Sequence, residues 1–108
     1  MTILGRVTVP ASAKRGEEVS VRVLVQHPME TGFRFDMNGA AIPKNVIREL
    51  VCRFEGEEVF RAELGSGIAA NPYLQFSARA ERSGTFVFDW VDDNGDRGTQ
   101  SASITVAG

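Results

Sequence analysis

Between residues 19 and 25 the chain alternates without interruption: Val19, Val21, Val23 and Val25 fall on one side of an extended backbone, Ser20, Arg22 and Leu24 on the other. Successive strand side chains point to opposite faces, so this period of two needs a core on one side and water on the other. The same period returns along the chain. Ile3 to Val9 reads as an earlier strand, stopped by Pro10 and followed by a polar turn around Lys14, Arg15 and Gly16. Leu50, Cys52 and Phe54 alternate, turn at Glu55 and Gly56, and return as Phe60, Ala62 and Leu64, which predicts a hairpin. Leu74, Phe76, Ala78 and Ala80 precede a turn at Ser83 and Gly84, and Phe86, Phe88 and Trp90 then share one face. Asn94 and Gly95 suit a tight turn into Ala102, Ile104 and Val106.

About seven strands at this spacing predict an all-β chain: an immunoglobulin-like, fibronectin-like antiparallel β-sandwich. The chain lacks a second cysteine for an inter-sheet disulfide, and its Trp comes late, at position 90, which separates it from antibody domains. One segment reads differently. Ile42, Val46, Ile47, Leu50, Val51 and Phe54 also fit a helical stripe, and Pro43 suits a first helical position, so a short helical turn is predicted over Pro43 to Ile47 before the strand. The 108 residues suit one domain, 1–108, with no repeat or linker.

Composition narrows the function. Twelve basic against fourteen acidic residues, without a basic run, give nucleic acid or an anionic membrane no electrostatic foothold. No stretch approaches the roughly 18 apolar residues that span a bilayer. The opening MTILGRVTV reads as a strand and not as a secretory signal. A single cysteine and a single histidine exclude an internal disulfide and a multi-histidine metal site.

Three loops exceed what a bare sandwich needs. His27 to Ile42, HPMETGFRFDMNGAAI, fits either a loop folded over the open end, with His27 bonding backbone, or a partner surface; its Met29, Phe33, Phe35 and Met37 argue against disorder. In Gly65 to Tyr73, Asn71 before Pro72 reads as a structural corner. The run Asp92 to Asp96, DDNGD, invites a calcium reading that fails on spacing, since Arg97 stands where the loop needs Gly and Ser103 where it needs a bidentate Glu; it reads as a hairpin turn. A nucleophile pair of Cys52 and His27 fails because Cys52 is in phase with the inward Leu50 and Phe54. A blue-copper set of Cys52, His27 and Met29 or Met37 lacks its second histidine. Glu57 and Glu58 sit in an open hairpin turn, unsuited to acid–base work. No catalytic residue, metal ligand or cofactor site emerges.

The motifs together resemble the SoxZ family. The resemblance rests on Val25-Gln26-His27-Pro28-Met29-Glu30-Thr31-Gly32, Ile42-Pro43, Cys52-Arg53-Phe54, the Gly56 turn, Ala69-Ala70-Asn71-Pro72-Tyr73, Trp90 and Asp93-Asn94-Gly95, in that order across the chain. Glu55 stands where the family often has Asn. The resemblance implies a non-catalytic subunit of the SoxYZ carrier in thiosulfate oxidation. Its companion SoxY bears the carrier cysteine on a flexible Gly-rich arm; the sequence here closes on Ile104-Thr105-Val106-Ala107-Gly108, without a Gly-Gly-Cys-Gly arm. The implied partners are SoxY, in a heterodimer, and transiently SoxAX, SoxB and SoxCD, with His27, Pro28, Met29, Glu30, Thr31, Gly32, Asn71, Pro72 and Tyr73 as the partner-binding residues. The implied location is the periplasm, reached on the companion's signal. In isolation the chain is expected to self-associate through exposed apolar groups. A free-standing fibronectin-like module for a cell-surface ligand is the alternative. It would present exposed aromatics on one sheet face, whereas most Phe residues fall in core phase.

Overall fold

The computed structural model describes residues 2–108, and among these every regular element is a strand. In chain order they are β1 (Gly5–Thr8), β2 (Ser12–Lys14), β3 (Glu18–Val25), β4 (Ile47–Phe54), β5 (Glu57–Glu63), β6 (Tyr73–Arg79), β7 (Gly84–Asp92) and β8 (Arg97–Ala107). They form two facing sheets, β1-β3-β6 and β2-β8-β7-β4-β5. This is an immunoglobulin-like sandwich.

The valine run is β3, and all four valines are buried. They pack against Leu50 and Cys52 of β4, Phe86, Phe88 and Trp90 of β7, and Ile104 of β8. At the side where β5 and β6 face each other, Phe60 and Phe76 stack with centroids 4.5 Å apart and planes within 3°. The aromatic phase of β7 thus supplies the middle of the core, as its alternation requires.

Two features depart from the sequence reading. The first is an additional strand between the opening one and the turn at Arg15 and Gly16. Pro10 has no N–H to give a ladder, so the chain leaves β3 after Thr8 and reappears as β2, parallel to β8 in the other sheet. That short strand raises the count to eight. The second corrects the helical turn assigned to Pro43 to Ile47, where no helix forms. Asn45 exchanges both backbone bonds with Glu30, at 2.8 and 2.9 Å, and Ile47 already opens β4. A β-bulge between Ile47 and Glu49 inserts one residue into the pairing with β7. Ile47 and Leu50 are therefore both buried although three apart, a spacing that mimics a helical stripe.

Trp90 fixes how the two sheets close. Its indole N–H donates to the Ile3 carbonyl at 3.0 Å, and the Ile3 N–H bonds the Arg97 carbonyl at 2.9 Å. The ring leaves no room beside it: a methyl group on Gly98 would overlap both Trp90 and the Ile3 carbonyl. Gly98→Ala is therefore expected to cost about 3 kcal/mol through overpacking against backbone. Gly67→Ala, with no atom within 4 Å, is expected to change stability by less than about 0.5 kcal/mol. Urea unfolding of the two variants beside the parent checks the contrast, which fails if both lose equally.

Candidate functional site

The inward alternation of β3 continues past its last residue. His27 and Met29 are buried, while Gln26 and Pro28 between them are exposed. His27 lies at the centre of a hydrogen-bonded joint. Its Nδ1 accepts the Met29 N–H at 3.0 Å, so the ring proton sits on Nε2, which faces Asp92 Oδ2 at 3.0 Å and donates to it. Asp92 ends β7 in phase with Phe88 and Trp90, and its other oxygen accepts the amides of Asn94 and Asp96 at 3.0 and 2.9 Å. Burial opposes the Asp92 charge, but hydrogen bonds from His27, the Asp96 amide and Asn45 outweigh it and hold the carboxyl below its usual range. The DDNGD run is thus a turn whose first carboxylate is turned inward onto His27.

The second segment joins the first here. Asn71 donates its backbone N–H to the His27 carbonyl at 2.8 Å and accepts the His27 N–H on its side-chain oxygen at 3.1 Å. Pro72 is buried, and its carbonyl accepts the Val25 N–H at 3.0 Å. Met29 and Asn71 both adopt left-handed backbone, φ +52° and +53°. Asn tolerates that region, but Met does so against a steric cost and needs its surroundings to hold it. The thioether of Met29 meets that need from the other side, accepting the Ile47 N–H at 3.2 Å.

Beyond this joint the chain forms a hairpin arm. Its two runs pair at Glu30 with Asn45 and at Phe35 with Ala41. Asp36 closes the tip by accepting the amides of Asn38 and Ala40 at 2.8 and 3.0 Å. Arg34 clamps Glu30 with two bonds of 3.0 and 2.6 Å, and this hydrogen bonding keeps the Glu30 carboxyl below its usual range. Phe33, Phe35 and Met37 are in phase with one another and 82%, 69% and 103% exposed. The sequence groups them with Met29 as apolar, yet only Met29 enters the core.

Of the nine residues selected from sequence, the joint brings together His27, Met29, Asn71 and Pro72. Glu30, Thr31 and Gly32 are half-buried along the arm's first run, and Pro28 and Tyr73 are exposed. The side chains of His27, Met29 and Pro72 face inward, so their part is to hold the loops in place. Asp92 escaped the selection, although its two-residue spacing from Trp90 was the available signal. Cys52 is fully buried in β4. Burial, with a smaller contribution from the Asp89 carboxylate, pushes its thiol up to about 12. Among the described residues no three His, Cys, Asp or Glu side chains are grouped so as to hold a metal ion.

Sandwich, joint and arm together define a β-domain that carries a hairpin with exposed apolar side chains and a buried thiol. The family model of sulphur oxidation protein SoxZ matches residues 7–103, and the chain belongs to that family. It takes its place among the sulfur-oxidation proteins of the Sox system. Comparison with the curated proteins finds no match. Among solved structures it is similar to the sulfur carrier protein SoxY from Chlorobium limicola f thiosulfatophilum, with TM-score 0.67, 12% identity, and coverage of 96% of this chain and 79% of that one. It is also similar to the superoxide reductase (neelaredoxin) from Ignicoccus hospitalis, with TM-score 0.71, 22% identity, and coverage of 95% and 80%. At these identities the likeness is one of fold.

Two expectations follow from the geometry. Asp92 has a depressed pKa in the folded chain, so the stability it contributes is complete above the unfolded value of 3.8 and is lost as pH falls through the folded value. In urea unfolding between pH 2 and 6, Asp92→Asn is expected to flatten this acid-side decline. His27→Ala, which strips partners from a buried carboxylate and a buried amide, is expected to cost about 3 kcal/mol near neutrality. An unchanged pH profile in the Asn variant would sink the joint. For Cys52 the sign is opposite: its raised pKa leaves stability intact below the unfolded value of 9.0, then drains it from there up to about 12, because the unfolded chain ionises first. Native Cys52 is expected to resist iodoacetamide at pH 8 and to react within minutes in urea. Cys52→Ala removes the alkaline decline at a cost of about 1 kcal/mol. Fast labelling of the folded chain would contradict the sealed-core placement.

Proposed function

We propose that this chain is the non-catalytic subunit of the SoxYZ sulfur carrier in thiosulfate oxidation, with SoxY as its heterodimeric partner. It stabilises SoxY and presents it to SoxAX, SoxB and SoxCD, takes no cofactor, and enters the periplasm together with SoxY. Family membership supports the pathway. The sealed thiol supports the division of labour, because a carrier sulfur has to be exposed and readily ionised to accept and release its cargo, whereas Cys52 is buried and its thiol is pushed up to about 12.

One observation carries the pairing: a hairpin fixed at its base by buried hydrogen bonds holds Phe33, Phe35 and Met37 in solvent. Ordering three large apolar groups outside a core gains nothing in the free chain; against a partner they bury area without a further ordering cost. We assign Pro28, Glu30, Thr31, Gly32 and Tyr73 to the same contact, and His27, Met29, Asn71 and Pro72 to holding its base through their buried side chains and hydrogen bonds.

The test is titration of purified SoxY with this chain, followed by sedimentation. The parent is expected to give one hetero-complex. Phe33→Ser together with Phe35→Ser is expected to weaken it by about a hundredfold, in line with the loss of two central aromatic anchors. Unfolding stability should stay within about 0.5 kcal/mol, since both side chains are exposed. Equal affinity of the double variant and the parent would refute the arm as the contact.

A further inference from the structure

Among the described residues the two sheets have long outer strands on one side only, β5 and β6, each of seven residues. They protect their edges very differently. β5 reads EEVFRAE, with four charged side chains, a pattern that discourages strand addition. β6 reads YLQFSAR, has high strand propensity, and carries a single charge at its last residue.

The backbone of β6 has a defined open side. The Pro72 carbonyl is bonded by Val25 and the Ala80 N–H bonds Glu17, so the even-numbered residues direct their polar groups to β3. Tyr73, Gln75, Ser77 and Arg79 direct theirs outward, where no strand of this chain pairs with them. Their side chains all stand on the exposed face. Four unpaired donors and four unpaired acceptors in register form a template for one more strand.

We propose that this edge is a self-pairing surface, joining two copies of the chain through an antiparallel β6–β6 ladder about a twofold axis at Phe76. The register decides the occupant. With Phe76 at the axis, Tyr73 lies opposite the Arg79 of the other copy, and Gln75 opposite its Ser77, each twice. An Arg beside a Tyr ring is a favourable cross-strand pair. The Gln75 Oε1 already accepts the Tyr73 hydroxyl at 3.3 Å, which leaves its amide N–H for the hydroxyl of the opposing Ser77. Each of the four outward residues thereby meets another outward residue, as a hydrogen-bonded antiparallel pair requires. No like charges meet. The same operation on β5 would set Glu57 against Glu63 and fail by repulsion. A twofold contact of this kind is isologous and closes at two copies. The inference goes beyond the pairing with SoxY and does not rest on it, because it concerns the isolated chain.

Sedimentation of the isolated chain across concentration tests it, together with hydrogen exchange. The parent is expected to be a dimer at high concentration, and the amides of Tyr73, Gln75, Ser77 and Arg79 should gain protection as the dimer forms. Gln75→Lys with Ser77→Lys opposes like charges twice and is expected to raise the dimer dissociation constant by more than about tenfold. Gln75→Lys with Ser77→Glu puts opposite charges across the axis and is expected to restore association. Near-ultraviolet signal from Trp90 verifies that each variant is folded. A parent that stays monomeric up to about 1 mM would overturn the proposal. So would a dimer indifferent to the lysine pair, or a charge-complementary variant that does not recover.

Discussion

The buried imidazole of His27 is the contact on which the outer half of the molecule depends. The β3 alternation alone would deliver an apolar side chain at position 27. A histidine there gives the core a group that accepts on one side and donates on the other. Nδ1 takes the Met29 amide, which the left-handed turn at Met29 would otherwise leave unpaired, and Nε2 takes the Asp92 carboxylate, which could not remain buried alone. Loop, strand end and turn are each satisfied by one ring. The arm inherits its direction from that arrangement, since Met29 and the Glu30–Asn45 pair sit directly on it.

The sandwich was legible wherever burial acts on residues two apart. The valines of β3, the inward Cys52 and the aromatics of β7 all occupy the face that their phase assigns. Legibility failed where a non-local constraint shifted the phase. The bulge before Glu49 put Ile47 and Leu50, three residues apart, on the same buried face and made a strand read as helix. β2 escaped because three residues carry too little pattern, and because its partner β8 lies some ninety residues away in sequence. At the site, the sequence motif located the loops but not their division into inward and outward side chains. Phe33, Phe35 and Met37 share their apolar character with the buried Met29, and the left-handed residues Met29 and Gly32 stand between them and the core strand.

The likeness in fold between this chain, a sulfur carrier and superoxide reductases shows how little the sandwich itself specifies. The two-sheet frame fixes where loops emerge, and chemistry depends on what those loops carry. Here the one thiol lies in a strand between two sheets, in surroundings that suppress its ionisation. The one histidine is engaged on both nitrogens. The residues that carry reactivity in other settings have become structural in this one, and the loops expose apolar surface.

The crossover after the opening strand bears on how such a domain behaves at high concentration. By crossing from β3 to β8 at Pro10, residues 5–14 stitch the two sheets together along one side, like the spine of a book. Sheets open at both sides can polymerise, each added molecule leaving a fresh template for the next. A sandwich crossed over in this way has its long edge strands on the other side alone. The proline that ends β1 thereby leaves two short edge strands on the stitched side in place of one long one.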